Sequence, residues 1–279
     1  MAQSLSHSCT VHRLLKRQLK KAQEARKGSL TEDQIYEACT AAYKGCSYSM
    51  QNNAYFNVDF AGTTAISAYI QSKEKRVCIS NVGDSRAVLG RNSTAIPLSW
   101  DQTPYRGSER RRIRETGARI LSIDQIDGFS PVTDHDGTEE IHHYRDLVEG
   151  EEEESGLRVW QAKEDTPGVT YTRSIGDSIA KELGVIADPE LVMLDLEAGN
   201  DVIVLASDGI FEFLTNQSVI DICVKCKDEG PLKACEEVIT RSREYWKKYE
   251  PHVDDMTMIC IFIESSDDGN TNVRRRRRR

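Results

Sequence analysis

The sequence of 279 residues predicts an α+β protein in which antiparallel sheets pack together with helices outside them. Three observations lead there. Apolar residues recur at helical spacing in two segments at the start of the chain and in two near its end, while short strand-like runs fill the middle. Between residues 62 and 98 four such runs follow one another without helices between them, which excludes a simple doubly wound nucleotide fold. Residues 202–206 show no polar alternation and read as a strand buried on both faces.

In chain order, Thr10 is placed to cap a first helix whose stripe is Val11, Leu14, Leu15, Leu19 and Ala22, with lysine and arginine on the other face. A capping box, Thr31 with Gln34, opens a second helix whose stripe is Ile35, Ala38, Cys39, Ala42 and Cys46. Strands are expected at 63–70, 76–80, 86–90 and 94–98, forming one antiparallel meander turned at Gly83-Asp84, with a local Asp84–Arg86 pair as one option. A charged helix over 108–116 stops at Gly117, and a strand is expected at 118–123. From 124 to 156 the composition shifts to glycine, aspartate, histidine and glutamate, as in a flexible insertion, with 134–154 expected to be mobile and cut first by proteases. Further on come a short helix after residues 172–177, a strand at 190–196, the 202–206 strand, a helix over 216–227 with Val219, Ile220, Cys223 and Val224, and a helix opened by Pro231 with Leu232, Cys235, Val238 and Ile239. The domain is set at 1–265, with a polar, arginine-rich tail at 266–279.

Composition narrows the function. A net charge of −8 argues against nucleic acid as a partner, whose phosphates need a basic face. Six arginines close the chain at 274–279; a solvated tail, nuclear targeting or an acidic partner would each account for them. No run of about 18 apolar residues and no apolar leader core is present, so the expectation is an intracellular, cytoplasmic or nuclear protein, monomeric and without a membrane partner. The eight cysteines form no spaced framework, and Cys223-x-x-Cys226 on a helical pattern reads as reduced, partly buried thiols rather than a zinc or redox motif. His135, His142 and His143 with nearby carboxylates read as solvated loop residues.

Chemistry concentrates where the apolar run 202–206 ends in Ser207-Asp208-Gly209. A carboxylate delivered to a sheet end is costly unless it is paired or bound to a cation, and Gly209 lets the backbone approach a ligand. Asp208 capping the following helix or closing a turn fits the same residues. Asp254-Asp255 stands just before a second apolar run, 256–263. If the two strands are antiparallel neighbours, Asp208 and Asp254 meet at one rim, and two such carboxylates repel unless a proton or a hard divalent cation lies between them.

Six ordered blocks then carry a resemblance: Gly62-Thr-Thr-Ala65, Asn81-Val-Gly-Asp-Ser-Arg-Ala87, Asp101-Gln-Thr-Pro104, Thr172-Arg-Ser-Ile-Gly-Asp177, Ala206-Ser-Asp-Gly209 and Asp254-Asp-Met-Thr257. In this order they resemble the metal-dependent, 2C-type serine/threonine protein phosphatases. The resemblance implies a four-layer α-β-β-α sandwich of two antiparallel sheets flanked by helices. It implies two ions, Mn²⁺ or Mg²⁺, that activate a water for attack on phosphoserine or phosphothreonine of a phosphoprotein substrate, with no side chain as nucleophile. Asp208 and Asp254 would be ligands of one ion, and Asp101 matches an aspartate linked to a weaker additional site, although Gln102 replaces the histidine usual beside it. The family's upstream arginine, acidic pair and aspartate–glycine–histidine–glycine block have no counterpart here. The expectation is therefore an N-terminally truncated phosphatase domain or, alternatively, a catalytically inactive phosphatase-like binding or regulatory module.

Overall fold

The computed structural model describes residues 2–24, 29–53, 57–129, 156–197 and 201–264, with side chains from Val11 onward. Two helices, α1 (Ala2–Glu24) and α2 (Glu32–Gln51), precede strands β1 (Gly62–Thr63), β2 (Ala65–Gln71), β3 (Arg76–Val82), β4 (Arg86–Arg91) and β5 (Thr94–Pro97). Next come α3 (Gly107–Arg114), β6 (Arg119–Leu121), α4 (Ile123–Ile126), β7 (Arg158–Trp160), β8 (Pro167–Val169), β9 (Ile175–Gly176), α5 (Ser178–Glu182) and β10 (Glu190–Asp195). The chain continues through β11 (Asp201–Ala206), α6 (Asp208–Phe211), α7 (Asn216–Lys225), α8 (Pro231–Tyr249) and β12 (Met258–Phe262).

Four layers result. The outer pair α1 and α2 buries Leu15, Leu19, Ile35, Ala38, Cys39 and Ala42 against one face of the sheet ordered β10-β3-β2, where Cys78 is the buried strand residue. Alternate residues of β3, Val77 and Ile79, point the other way and meet Ala87, Leu89, Ile203 and Leu205 of the second sheet, ordered β12-β11-β4-β5. The opposite face of that sheet, through Val88, Val202, Val204 and Ala206, packs on Val219, Ile220 and Cys223 of α7 and Ala234 and Val238 of α8. β11 is thus buried on both faces, as its unbroken apolar run requires, and each such side chain removed from water contributes about 1.5–3 kcal/mol. Its pairing with β4 and β12 is antiparallel, with Ala206 opposite Arg86 on one side and Met258 on the other. The expected α+β sandwich of antiparallel sheets is the observed architecture, with two small sheets added, β6-β7-β8 and β1-β9.

Local signals explain most element boundaries. Thr31 caps α2 and Gln34 reciprocates, closing the box read in the sequence. Pro231 stands at the start of α8, where its missing N–H costs nothing.

Other expectations need correction. Thr10 lies inside α1, because residues 2–9 hold no glycine or proline to stop the helix from propagating toward Ala2. The single meander is instead two hairpins in different sheets. At Gly83 (φ 104°) the chain crosses from one sheet to the other, and an added Cβ there would lie 2.3 Å from Thr64 Cγ2. Ile123 begins α4 rather than ending a strand, because Ser122 and Gln125 form a second capping box. Leu232 is 73% exposed: it lies about 200° around α8 from Ala234, whereas Ala234, Val238 and Ser242, four residues apart, form the buried line. Val224 is exposed at the edge of its stripe in the last turn of α7. The segment 134–154, the histidines within it and the arginine tail lie outside the described residues. No described helix is long and apolar enough to cross a membrane.

Candidate functional site

The end of β11 and the start of β12 are stitched together just beyond their last ladder pair. Ser207 N–H donates to the Thr257 carbonyl (3.0 Å), and Thr257 N–H donates to Ser207 Oγ (3.1 Å). This pairing brings Asp208 and Asp254 to one rim. Solvent reaches Asp208, yet the crowding of protein around it, and then the Asp254 carboxylate, push its pKa up to about 6. The Gly209 N–H donates to Asp208 Oδ1 at 2.9 Å, which opposes that rise in part. Thr215, not Asp208, caps α7, and Asp208 instead opens the short helix α6.

A carboxylate read in the sequence as a turn residue joins this rim. Asp84 follows the crossing glycine, and burial first, then the Asp208 and Asp101 carboxylates, raise its pKa to about 7; Glu212 adds to the same effect. The signal that could have found it is weaker than the one at Asp208: a buried strand, β3, that runs through Ser80 and Asn81 into glycine and aspartate.

Asp101 has a different partner. Arg86 donates to both of its oxygens, at 3.0 and 2.5 Å, instead of turning to Asp84. The guanidinium also donates to Asn216 Oδ1 (3.0 Å) and lies 4.7 Å from the centre of the Phe211 ring. Beside it Gln102, fully buried, accepts from Gly83 N–H (2.7 Å) and donates to the Asn81 carbonyl (3.2 Å), so this side chain fixes the turn that carries Asp84.

The remaining blocks form a supporting wall. β1 pairs with β9, and Gly62 sits so close to Asp177 that a Cβ would fall 1.8 Å from Oδ2. Tyr171 donates to that same Oδ2 at 3.0 Å; burial, then the Asp177 charge, raise its pKa, and Asp84 contributes further. Asp177 itself adopts left-handed φ 49° and ψ 62°. Behind them Arg173 links Glu109 (2.7 Å) and Glu190 (3.1 Å). Burial would raise the pKa of Glu109, but hydrogen bonds from Arg112 and Arg173 outweigh it and bring the value to about 2.

Hard carboxylate oxygens that repel one another suit a hard divalent cation, and the raised pKa values of Asp84 and Asp208 reflect burial first and that repulsion second. Among the described residues, however, no three His, Cys, Asp or Glu groups stand close enough to enclose an ion. The thiols offer no alternative among the described residues: Cys223 and Cys260 are buried in the core beneath α7 and α8, and the described cysteines form no disulfide.

The comparison with known families is specific: residues 2–248 match the model described as "Protein phosphatase 2C", and the chain belongs to that family. It is 39% identical over 210 residues to "Probable protein phosphatase 2C 35" of Arabidopsis thaliana, covering 73% of this chain and 56% of the relative. It is also 31% identical over 214 residues to "Probable protein phosphatase 2C 73" of the same plant, covering 74% of this chain and 49% of the relative. The chain thus spans about half the length of these curated relatives. Among solved structures, serine-threonine phosphatase 2C from Toxoplasma gondii superimposes with a TM-score of 0.71 at 16% identity over 92% of this chain and 80% of that one, a likeness of fold.

Proposed function

We propose that the protein is a metal-dependent serine/threonine phosphatase that hydrolyses phosphoserine and phosphothreonine in protein substrates. The observation that carries this reading is the meeting of Asp208 and Asp254 at one rim, where the paired ends of β11 and β12 are stitched together, with Asp84 near enough to Asp208 to feel its charge. Asp208 and Asp254 would hold Mn²⁺ or Mg²⁺, with Asp84 as a neighbouring donor. Asp101 already accepts the Arg86 fork on both oxygens, so a further cation there would share the carboxylate with Arg86. Bound divalent cations would supply positive charge that acidifies a water and neutralises phosphoryl oxygens. The chain's own residues do the preparatory work. Gln102 fixes the Asp84 turn, the Ser207–Thr257 stitch fixes Asp208 beside Asp254, and Arg86 holds Asp101 while bridging to α7. Free thiols at the seven described cysteines support an intracellular setting.

A second reading, a phosphatase-like binding or regulatory module without turnover, is favoured by the absence of three closely grouped ligands among the described residues. One experiment separates the two. Hydrolysis of a phosphothreonine peptide is measured with and without Mn²⁺ on the chain and on Asp208→Asn. Mn²⁺-dependent phosphate release that Asp208→Asn abolishes supports the enzyme. Equal, metal-independent background in both supports the module.

A further inference from the structure

The last helix makes an unusual contact with the candidate site. Ser242 and Trp246, one turn apart on α8, both aim side-chain donors at a single backbone atom, the carbonyl oxygen of Gly209: Ser242 Oγ at 2.8 Å and Trp246 Nε1 at 2.7 Å. Ser242 is completely buried, and the indole of Trp246 is braced edge-on by Phe213 with ring centres 5.0 Å apart. On its other side Gly209 is pressed against the backbone before β12. A Cβ at this position would lie 2.5 Å from the Asp255 carbonyl oxygen, to which Ser207 Oγ also donates at 3.3 Å. Gly209 is therefore wedged between α8 and residue 255, and it joins Asp208 directly while Asp255 joins Asp254.

We infer that Ser242 and Trp246 are positioning residues that clamp the turn carrying Asp208 against the segment carrying Asp254, and so set the separation of the two carboxylates. The inference rests on the phosphatase reading for its consequence, cation affinity, but the clamp itself is a property of the backbone. Groups that orient ligands without touching the ion commonly change metal affinity by about 10–100-fold when removed. Ser242→Ala and Trp246→Phe each delete one donor while keeping the helix and, in the second, an aromatic ring to face Phe213.

The test uses the full chain, the two single variants, the double variant and Ser242→Thr. Amide hydrogen exchange over residues 207–214 is followed without metal, and Mn²⁺ binding is measured by titration calorimetry. The clamp predicts faster exchange at 207–214 in the double variant, unchanged exchange in β11, Mn²⁺ affinity weaker by about tenfold, and near-original values in Ser242→Thr. A lower melting temperature with unaltered 207–214 exchange and unaltered Mn²⁺ affinity overturns the inference, since a merely structural contact gives that pattern. If the unmodified chain takes up no Mn²⁺, the phosphatase reading fails separately. The clamp then stands on faster 207–214 exchange in the double variant and falls on unchanged exchange.

Discussion

At Asp84 and Asp208 the folded chain holds carboxyl protons to about 7 and about 6, against an ordinary aspartate value of 3.8. The folded values are the higher ones, so between the two limits the folded chain binds more protons than the unfolded chain. Metal-free stability is therefore favoured near pH 4 and declines as pH rises toward 7. Urea unfolding without divalent ions is expected to show a lower midpoint at about pH 8 than at about pH 5, and Mn²⁺ is expected to remove that difference. Asp208→Asn should raise metal-free stability at the higher pH by no more than about 1 kcal/mol, since solvent screens this rim. Glu109 has the opposite sign: its contribution is complete above its ordinary value of 4.5 and is lost as pH falls toward about 2. Glu109→Gln removes the buried charge that Arg112 and Arg173 share, leaving Arg173 only Glu190 as an ionic partner, and should cost about 3 kcal/mol in denaturant titrations, with or without metal.

Among the elements, α8 offers the sharpest contrast. Val238 is fully buried against the β11 sheet while Leu232 faces water. Val238→Ala is expected to lower unfolding free energy by about 2 kcal/mol, and Leu232→Ser to change it by under about 0.5 kcal/mol, both read from urea melts. The sequence reading placed Leu232 and Val238 in one stripe. Apolar residues at 232, 235, 238 and 239 satisfy a helical count, but a small buried residue, Ala234, and a buried hydroxyl, Ser242, set the actual phase. Hydropathy does not mark a buried serine whose partner is a carbonyl thirty-three residues earlier. The capping box at Thr31 was legible because its hydrogen bonds are local, and removing it by Thr31→Ala should cost about 1 kcal/mol.

For the whole molecule, the layer order could be read because each layer leaves a periodicity: helical stripes outside and a two-faced apolar strand within. Which strands share a sheet could not be read, because β3 and β4 bury residues in the same inter-sheet core while belonging to different sheets. The candidate site followed suit. Asp208 and Asp254 were legible from strands that are neighbours in one sheet, whereas Asp84 arrives from the crossing between sheets, and nothing in the strand pattern marks a crossing. Mn²⁺ at a hundredfold excess over its dissociation constant is expected to add about 2.7 kcal/mol to the stability of the entire domain. Thermal melts with and without the ion measure that increment.

The crossing at Gly83 gives the rim a mechanical character. Asp84 stands on the link between the two sheets, while Asp208 and Asp254 flank strands β11 and β12 of the second sheet alone. An occupant held between Asp84 and Asp208 would act as a rivet through the seam of the sandwich, resisting the sliding of one sheet over the other. Pulled apart along that seam in a single-molecule stretching experiment, the loaded domain would yield at a higher force than the empty one.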